Sequence, residues 1–108
     1  MRRGDIVTVA VQGDFGKPRP ALVVQADEID GIETTLVCLF TSNREAAPSF
    51  RYVVAPAPDN GLHIESAVMI DKITMVLRGK CGAVIGRLSA AQMAEVDTRL
   101  AFVLGLGR

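Results

Sequence analysis

Few side chains in this 108-residue sequence have the chemistry of a catalytic centre. His63 is the only histidine, so one chain by itself does not hold the paired imidazoles of a two-histidine ribonuclease. The residue follows Asn60 and Gly61, and this position predicts a half-exposed side chain beside a turn. Because imidazole is the side chain that ordinarily titrates near neutral pH, His63 is also a candidate for contact with a substrate.

The cysteines and the aspartates indicate neither a cysteine-dependent enzyme nor a metal-binding site. Cys38 lies in the apolar run LVCLF and is expected to be a small buried residue. Cys81 is distant in the sequence, and the two share no CxxC or Cys/His spacing. The aspartates show no tight ligand motif, and the GxSxG signature of a serine hydrolase is missing. We therefore expect no disulfide, no metal site and no cofactor.

The basic residues are grouped although the net charge is zero. Twelve Lys and Arg residues balance twelve Asp and Glu residues, so net charge argues neither for nor against a polyanionic partner. Basic groups that share one face would form a nucleic-acid footprint, whereas scattered ones would be ordinary solvated surface. The early group is Arg2, Arg3, Lys17 and Arg19, and the later group is Arg78, Lys80 and Arg87.

Strand patterns precede a single helix pattern. Short β-branched and apolar runs, bounded by Gly, Pro, Asp and Asn, predict a succession of strands, and the run after Pro20 predicts a strand buried on both faces. The expected strands are Ile6–Val11, Ala21–Gln25, Thr34–Phe40, Phe50–Ala55, Ser66–Val76 and Gly82–Leu88.

After the last strand, apolar residues recur at every third or fourth position, which predicts a C-terminal helix. Ser89 and Gln92 form a capping-box pattern at its start, and Gly105 is expected to end it. The stripe that should face the core is Met93, Val96, Leu100, Val103 and Leu104. Residues 1–108 are thus predicted to form one mainly β domain, in which the helix packs across a bent antiparallel sheet or small barrel.

No apolar run approaches the roughly 20 residues that a membrane-spanning helix needs. The opening residues MRRGDIV pass directly from charge into a strand pattern, unlike a signal peptide. We expect no membrane partner and a cytoplasmic location.

Three segments carry a resemblance to a known family: RRGDIV, KPRPALVVQ, and SAVMIDKITMV followed by GAVIGRLS. Their order and spacing resemble the MazF/PemK toxins of type II toxin–antitoxin systems over essentially the whole chain. The resemblance implies an SH3-like small barrel of the CcdB/MazF type with a C-terminal helix. It also implies a homodimeric, sequence-specific endoribonuclease that cleaves single-stranded RNA and is inhibited by a cognate antitoxin. Operator DNA would be bound only by the toxin–antitoxin complex.

The resemblance assigns roles to individual positions. Arg19 and Thr41 stand at the two catalytic positions of the family, and Ser42, Ser66 and Asp71 match supporting positions. Lys17 and Arg44 are expected to contact RNA phosphates. From spacing alone, Arg19 would be a surface residue, Thr41 a turn-forming hydroxyl, and Asp71 half of an exposed ion pair with Lys72.

One segment departs from the family pattern, and it leaves the general base open. The loop before Arg19 reads QGDFGK, is shorter than in many relatives, and offers only Asp14 as a candidate acid.

Metal-independent RNA cleavage would use the substrate 2′-OH to attack the adjacent phosphorus. Arg19 suits the stabilisation of phosphate charge, because its guanidinium binds two oxygens and stays protonated. Two alternatives stay open, a gyrase-binding toxin of the CcdB type and an inactive binding module of the same fold. The first lacks its signature C-terminal Trp here, since the chain ends in GLGR.

Overall fold

A computed structural model describes residues 1–10, 17–43 and 50–107 of the chain. They form six strands and one α-helix in the order that the sequence predicts, and the fourth strand is shorter than the expected Phe50–Ala55. A 3-10 turn, Arg78–Lys80, joins the last two strands. The strands are β1 Asp5–Ala10, β2 Pro18–Val23, β3 Thr34–Thr41, β4 Tyr52–Val54, β5 Ser66–Leu77 and β6 Cys81–Arg87, and the helix is α1 Ala90–Val103.

All six strands belong to one antiparallel sheet in the order β4-β5-β3-β2-β1-β6. Register shifts interrupt the β1/β6 and β3/β5 pairs, and such irregularities bend a sheet. Within the described residues the two edge strands, β4 and β6, are not hydrogen-bonded to each other. The Arg87 backbone N–H on β6 instead donates to the carbonyl of Asp59, in the loop after β4, at 2.9 Å. The predicted mainly β, barrel-like architecture with a C-terminal helix is confirmed.

The central strands β1, β2 and β3 bury apolar side chains on both faces of the sheet, because side chains alternate between the faces along each strand. Ile6 and Leu22 on β1 and β2 belong to the larger core, which also receives Val96 and Leu100 from α1. Val7 and Ala21, their immediate neighbours, lie in a second apolar cluster. The prediction that the run after Pro20 is buried on both faces is confirmed, since residues 21–24 are all buried.

The helix begins and ends as its sequence predicts. Ser89 Oγ accepts from the Gln92 N–H at 3.1 Å, and Gln92 Oε1 accepts from the Ser89 N–H at 2.9 Å, which completes the capping box. Gly105 has φ +73° and the helix closes in a Schellman motif, with the Leu106 N–H donating to the Ala101 carbonyl. Leu104 was expected in the core-facing stripe, and this is wrong: it is the exposed C-cap residue, because the helix ends one residue earlier. No helix of the described residues is long and apolar enough to cross a bilayer.

A buried asparagine organises the long loop between β4 and β5. Asn60 is 1% exposed, and its Oδ1 accepts from the N–H groups of Ala57 and Leu62 at 3.1 and 3.0 Å. Its Nδ2 donates to the Ala55 carbonyl at 2.9 Å. The next residue, Gly61, has φ +71° and packs against the backbone of Ile85 on β6. This loop therefore contacts the edge of the sheet opposite the strand from which it leaves.

We predict that Gly61→Ala destabilises the protein more than Gly31→Ala. Both glycines have φ +71°, so an alanine at either position meets the same left-handed strain, roughly 1–2 kcal/mol. Only the Cβ at residue 61 would overlap the Ile85 carbonyl, whereas nothing lies within 4 Å at residue 31. That overlap adds about 1–3 kcal/mol to the cost. Urea unfolding of the two variants measures the difference, and equal losses of unfolding free energy would show that the loop does not pack tightly on β6.

Candidate functional site

A cleft of about 400 Å³ opens where β2 begins and β3 ends. Thr8 on β1 pairs with Pro20 on β2, and both line the cleft together with Phe40 near the end of β3. The loop after β4 and strand β6 supply further walls. The complete lining among the described residues is Thr8, Pro18, Arg19, Pro20, Phe40, Ser42, Gly61, Leu62, His63, Ile64, Ser66 and Ile85.

Arg19 brings a permanent positive charge to this cleft. It is exposed near the start of β2 and pairs with Val9 on β1. Pro18 and Pro20 flank it, and their fixed φ angles stiffen the backbone on both sides. Because a guanidinium stays protonated at any ordinary pH and presents a planar fork of donors, Arg19 suits contact with a phosphate.

The hydroxyl residues at the end of β3 differ in their placement. Thr41 is half-buried, and its Oγ1 accepts from the Asn43 N–H at 3.2 Å, which turns the chain as the strand ends. Thr41 is not among the residues that line the cleft, whereas the exposed Ser42 is. The turn made by Thr41 therefore presents its neighbour to the cleft.

Ser66 is a buried part of the cleft wall. It is 5% exposed at the first position of β5, and its Oγ donates to the Ile64 carbonyl at 3.0 Å. That hydrogen bond fixes the backbone immediately after His63. Ser66, which the family resemblance gives as a supporting position, lines the same cleft as Arg19.

His63, which the sequence indicated as a residue beside a turn and as a candidate for contact with a substrate, is exposed and lines the same cleft. Its two neighbours are anchored, since the Leu62 N–H donates to Asn60 and the Ile64 carbonyl accepts from Ser66. Thr8 was also not predicted as a site residue. The alternation along β1 could have indicated its face, but only the pairing with Pro20 shows that this face ends in the cleft.

Asp71 lies outside the cleft lining and forms an ion pair with Arg51. Arg51 Nε and Nη2 donate to the two Asp71 carboxylate oxygens at 3.2 and 3.3 Å. The hydrogen bond from Arg51 holds the pKa of Asp71 below its ordinary value, and partial burial opposes this shift only in part. The prediction that Asp71 pairs with Lys72 is therefore wrong. Arg51, directly before β4, pairs with the carboxylate instead.

Most of the described arginines support the fold. Arg78 donates to the backbone carbonyls of Thr34 and Ile29. Lys17 is exposed, directly before β2. The predicted contacts of Arg44 and Asp14 fall outside the described residues. Arginines of the described ranges form ion pairs that include Arg2–Asp27, Arg3–Asp97, Arg51–Asp71, Arg87–Asp5 and Arg99–Glu95.

Neither cysteine has the environment of a nucleophile. Cys38 is fully buried, as the sequence predicts, and burial raises the pKa of its thiol to about 12. Burial also raises the pKa of Cys81, which stays a free thiol. In residues 1–10, 17–43 and 50–107, no three His, Cys, Asp or Glu side chains are grouped so that they could hold a metal ion.

Residues 2–104 match the family model of the PemK-like, MazF-like toxins of type II toxin–antitoxin systems. The chain belongs to this family. It is 41% identical over 107 residues to a probable endoribonuclease MazF of Mycolicibacterium smegmatis, with 98% of each chain covered.

Solved structures share this fold over nearly their whole length. One is an endoribonuclease in complex with its cognate antitoxin from a mycobacterial species, with a TM-score of 0.78 at 19% identity, covering 100% of this chain and 96% of that one. Another is a MazE–MazF structure from Deinococcus radiodurans, with a TM-score of 0.75 at 26% identity, covering 98% and 97%. The first likeness supports the fold alone, and both agree with the barrel-like architecture predicted from the sequence.

We predict that Asp71→Asn lowers stability in a pH-dependent way. An aspartate with a lowered folded pKa stabilises the fold above its unfolded pKa, about 3.9, and this contribution is lost as pH falls through the folded value. For a pair this accessible the loss at pH 7 should be at most about 1 kcal/mol. Thermal unfolding at pH 7 and below pH 3 compares the variant with wild type. A difference in stability that persists unchanged in acid would contradict the ion-pair explanation.

Proposed function

We propose that this chain is a sequence-selective, metal-independent endoribonuclease toxin that cleaves single-stranded RNA. The observation that carries the proposal is the cleft in which Arg19 meets Ser42, Ser66 and His63. Its position in a chain of the MazF-like toxin family supports the same activity, because a curated relative at 41% identity is named as a probable endoribonuclease.

The chemistry of the cleft fits phosphodiester cleavage by the substrate's own 2′-OH. Arg19 binds the non-bridging oxygens of the scissile phosphate and stabilises the negative charge that grows on them. Ser42 donates a further hydrogen bond to the phosphate from the end of β3. Thr41 supports this geometry through the turn that its hydroxyl makes with Asn43.

The apolar part of the cleft suits the bases of a single strand. Phe40, Ile64 and Ile85 lie among its lining residues, together with Pro18 and Pro20. Single-stranded RNA is recognised largely by stacking and by contacts to exposed base edges, which a duplex does not offer. We infer that a base next to the scissile phosphate packs on this apolar surface.

We further propose that a cognate antitoxin inhibits the enzyme by covering this cleft. The matching family model describes toxins of toxin–antitoxin systems, and a solved structure at 26% identity is a MazE–MazF structure, which together support the partner. A segment that carries acidic and apolar side chains would match the described cleft lining, which combines the cation of Arg19 with several apolar residues. We also propose that residues 1–108 act as one domain, in a cytoplasmic homodimer, and that operator DNA is bound only by the toxin–antitoxin complex.

We predict that Arg19→Ala abolishes RNA cleavage in the presence of EDTA. Loss of a group that stabilises transition-state charge typically reduces the rate by about 10²–10³-fold. Antitoxin-free wild type and variant would be incubated with a long single-stranded RNA, and the fragment ends would be mapped. Discrete cuts by wild type that the variant fails to make are the expected result.

Arg2→Ala is the matched control for this assay. It removes the same charge from an exposed side chain whose partner is Asp27, away from the cleft, and it should cleave like wild type. Cleavage that requires added metal ions would contradict the metal independence. Absence of cuts by wild type would favour a gyrase-binding toxin or an inactive binding module, and a gyrase assay would separate these two.

We predict that Lys17→Ala and Arg44→Ala weaken RNA binding and flatten its salt dependence. Each lost phosphate contact should lower the slope of log affinity against log salt by about 0.7 for a single strand. Titration of a 2′-deoxy-substituted, uncleavable RNA over a salt series measures the slope. Lys80→Ala, an exposed lysine outside the cleft lining, is the control. Slopes equal to that of wild type would show that neither residue contacts a phosphate.

A further inference from the structure

In the described part of the cleft, one side chain can stabilise the negative charge of a phosphate, and only one other side chain is suited to accept a proton. Arg19 is permanently protonated and therefore has hydrogens to donate rather than a site to receive one. The hydroxyls of Thr8, Ser42 and Ser66 are very weak bases at neutral pH. Asp71 is held by Arg51 outside the cleft. Among the described lining residues, this leaves the imidazole of His63, which is the only histidine of the chain, as the group that can accept a proton.

The backbone on both sides of His63 is held by hydrogen bonds to buried side chains. The Leu62 N–H is bonded to the buried Asn60, and the Ile64 carbonyl is bonded to the buried Ser66. Gly61 packs against the backbone of Ile85, which fixes the loop to the sheet. An exposed imidazole is therefore carried into the cleft on a segment that is held at both sides, as a positioned proton acceptor requires.

We propose that His63 is the general base of the RNA cleavage reaction. This inference rests on the proposed endoribonuclease function, and it assigns the step that the sequence left open. The neutral imidazole takes the proton of the 2′-OH while O2′ forms its bond to phosphorus. The electron pair of the breaking P–O5′ bond stays on O5′, which takes a proton from solvent water. The products are a 2′,3′-cyclic phosphate and a 5′-hydroxyl, and the imidazolium then returns its proton to solvent.

Few charged groups face the imidazole on the elements that build the cleft. Arg19 on β2 is the charged residue of the described lining, while Thr8 on β1, Ser66 on β5 and Ile85 on β6 are uncharged. On the loop of His63 itself the charged neighbours are Asp59 and Glu65. A general base must be neutral to act, so the wild-type rate should rise with increasing pH and then level off.

The test compares wild type, His63→Gln and His63→Ala on a short RNA with one mapped cleavage site, under single-turnover conditions in EDTA. We expect His63→Gln to cleave at least about 100-fold more slowly and to lose the rise in rate with pH. Imidazole added to the buffer should partly restore cleavage by His63→Ala. The affinity of both variants for an RNA with a 2′-deoxy group at the scissile nucleotide should stay within about 3-fold of the wild-type affinity. A general base stabilises the transition state and not the bound substrate, so its loss should leave substrate binding nearly unchanged.

Lys80→Gln is the control, since it alters an exposed cation outside the cleft. An RNA with sulfur in place of O5′ distinguishes the base from an acid, because a thiolate leaves without protonation. Rescue of His63→Gln by this RNA would show that His63 protonates the leaving group, and it would overturn the base assignment. An unchanged rate, or a slower rate with weak binding and an unaltered pH profile, would overturn the proton-transfer role altogether. Absence of cleavage by wild type would instead contradict the proposed function itself.

Discussion

The buried side chain of Asn60 is the constraint on which the cleft depends. A buried amide left without partners costs about 1–3 kcal/mol, and Asn60 avoids this by binding three backbone groups of its own loop. These hydrogen bonds give the loop one conformation, and Gly61 then allows it to lie directly on β6. The loop closes the space between the two ends of an open sheet and forms one wall of the cleft. The chemistry at its rim is thus positioned by a residue that has no role in the chemistry.

The segments that carry the family resemblance separate into residues that hold the fold and residues that line the cleft. At the start of the chain, Asp5 accepts from the Arg2 N–H at 2.7 Å and from Arg87 Nη2 at 2.8 Å, which ties β1 to β6. Burial alone would raise the pKa of Asp5, but these two partners outweigh it and leave the pKa lowered. Arg3 binds Asp97 and the Val24 carbonyl, so it links α1 to the sheet. Of the described basic residues near the start of the chain, only Arg19 lines the cleft.

The division of labour in the cleft follows from the acid–base chemistry of its side chains. A guanidinium supplies charge and directional donors without changing its protonation state, whereas an imidazole changes protonation near neutral pH. Stabilising a phosphate and moving a proton are different tasks, and the structure brings one group of each kind to the same opening. The two come from distant parts of the chain, a strand start and a long loop.

The sequence by itself determined the elements, because they depend on local patterns. Alternating β-branched runs, the capping box from Ser89 to Gln92 and the terminating Gly105 predicted the order of the strands and the helix, and each strand end to within three residues. The position of Arg19 beside two prolines, together with the family resemblance, also indicated where the candidate site lies. Tertiary structure decided which side chains meet. Asp71 pairs with Arg51, Thr41 forms a turn beside the cleft, and His63 lines the cleft, since each placement depends on packing between segments far apart in sequence. Such contacts have no local pattern, so only the folded chain reveals them.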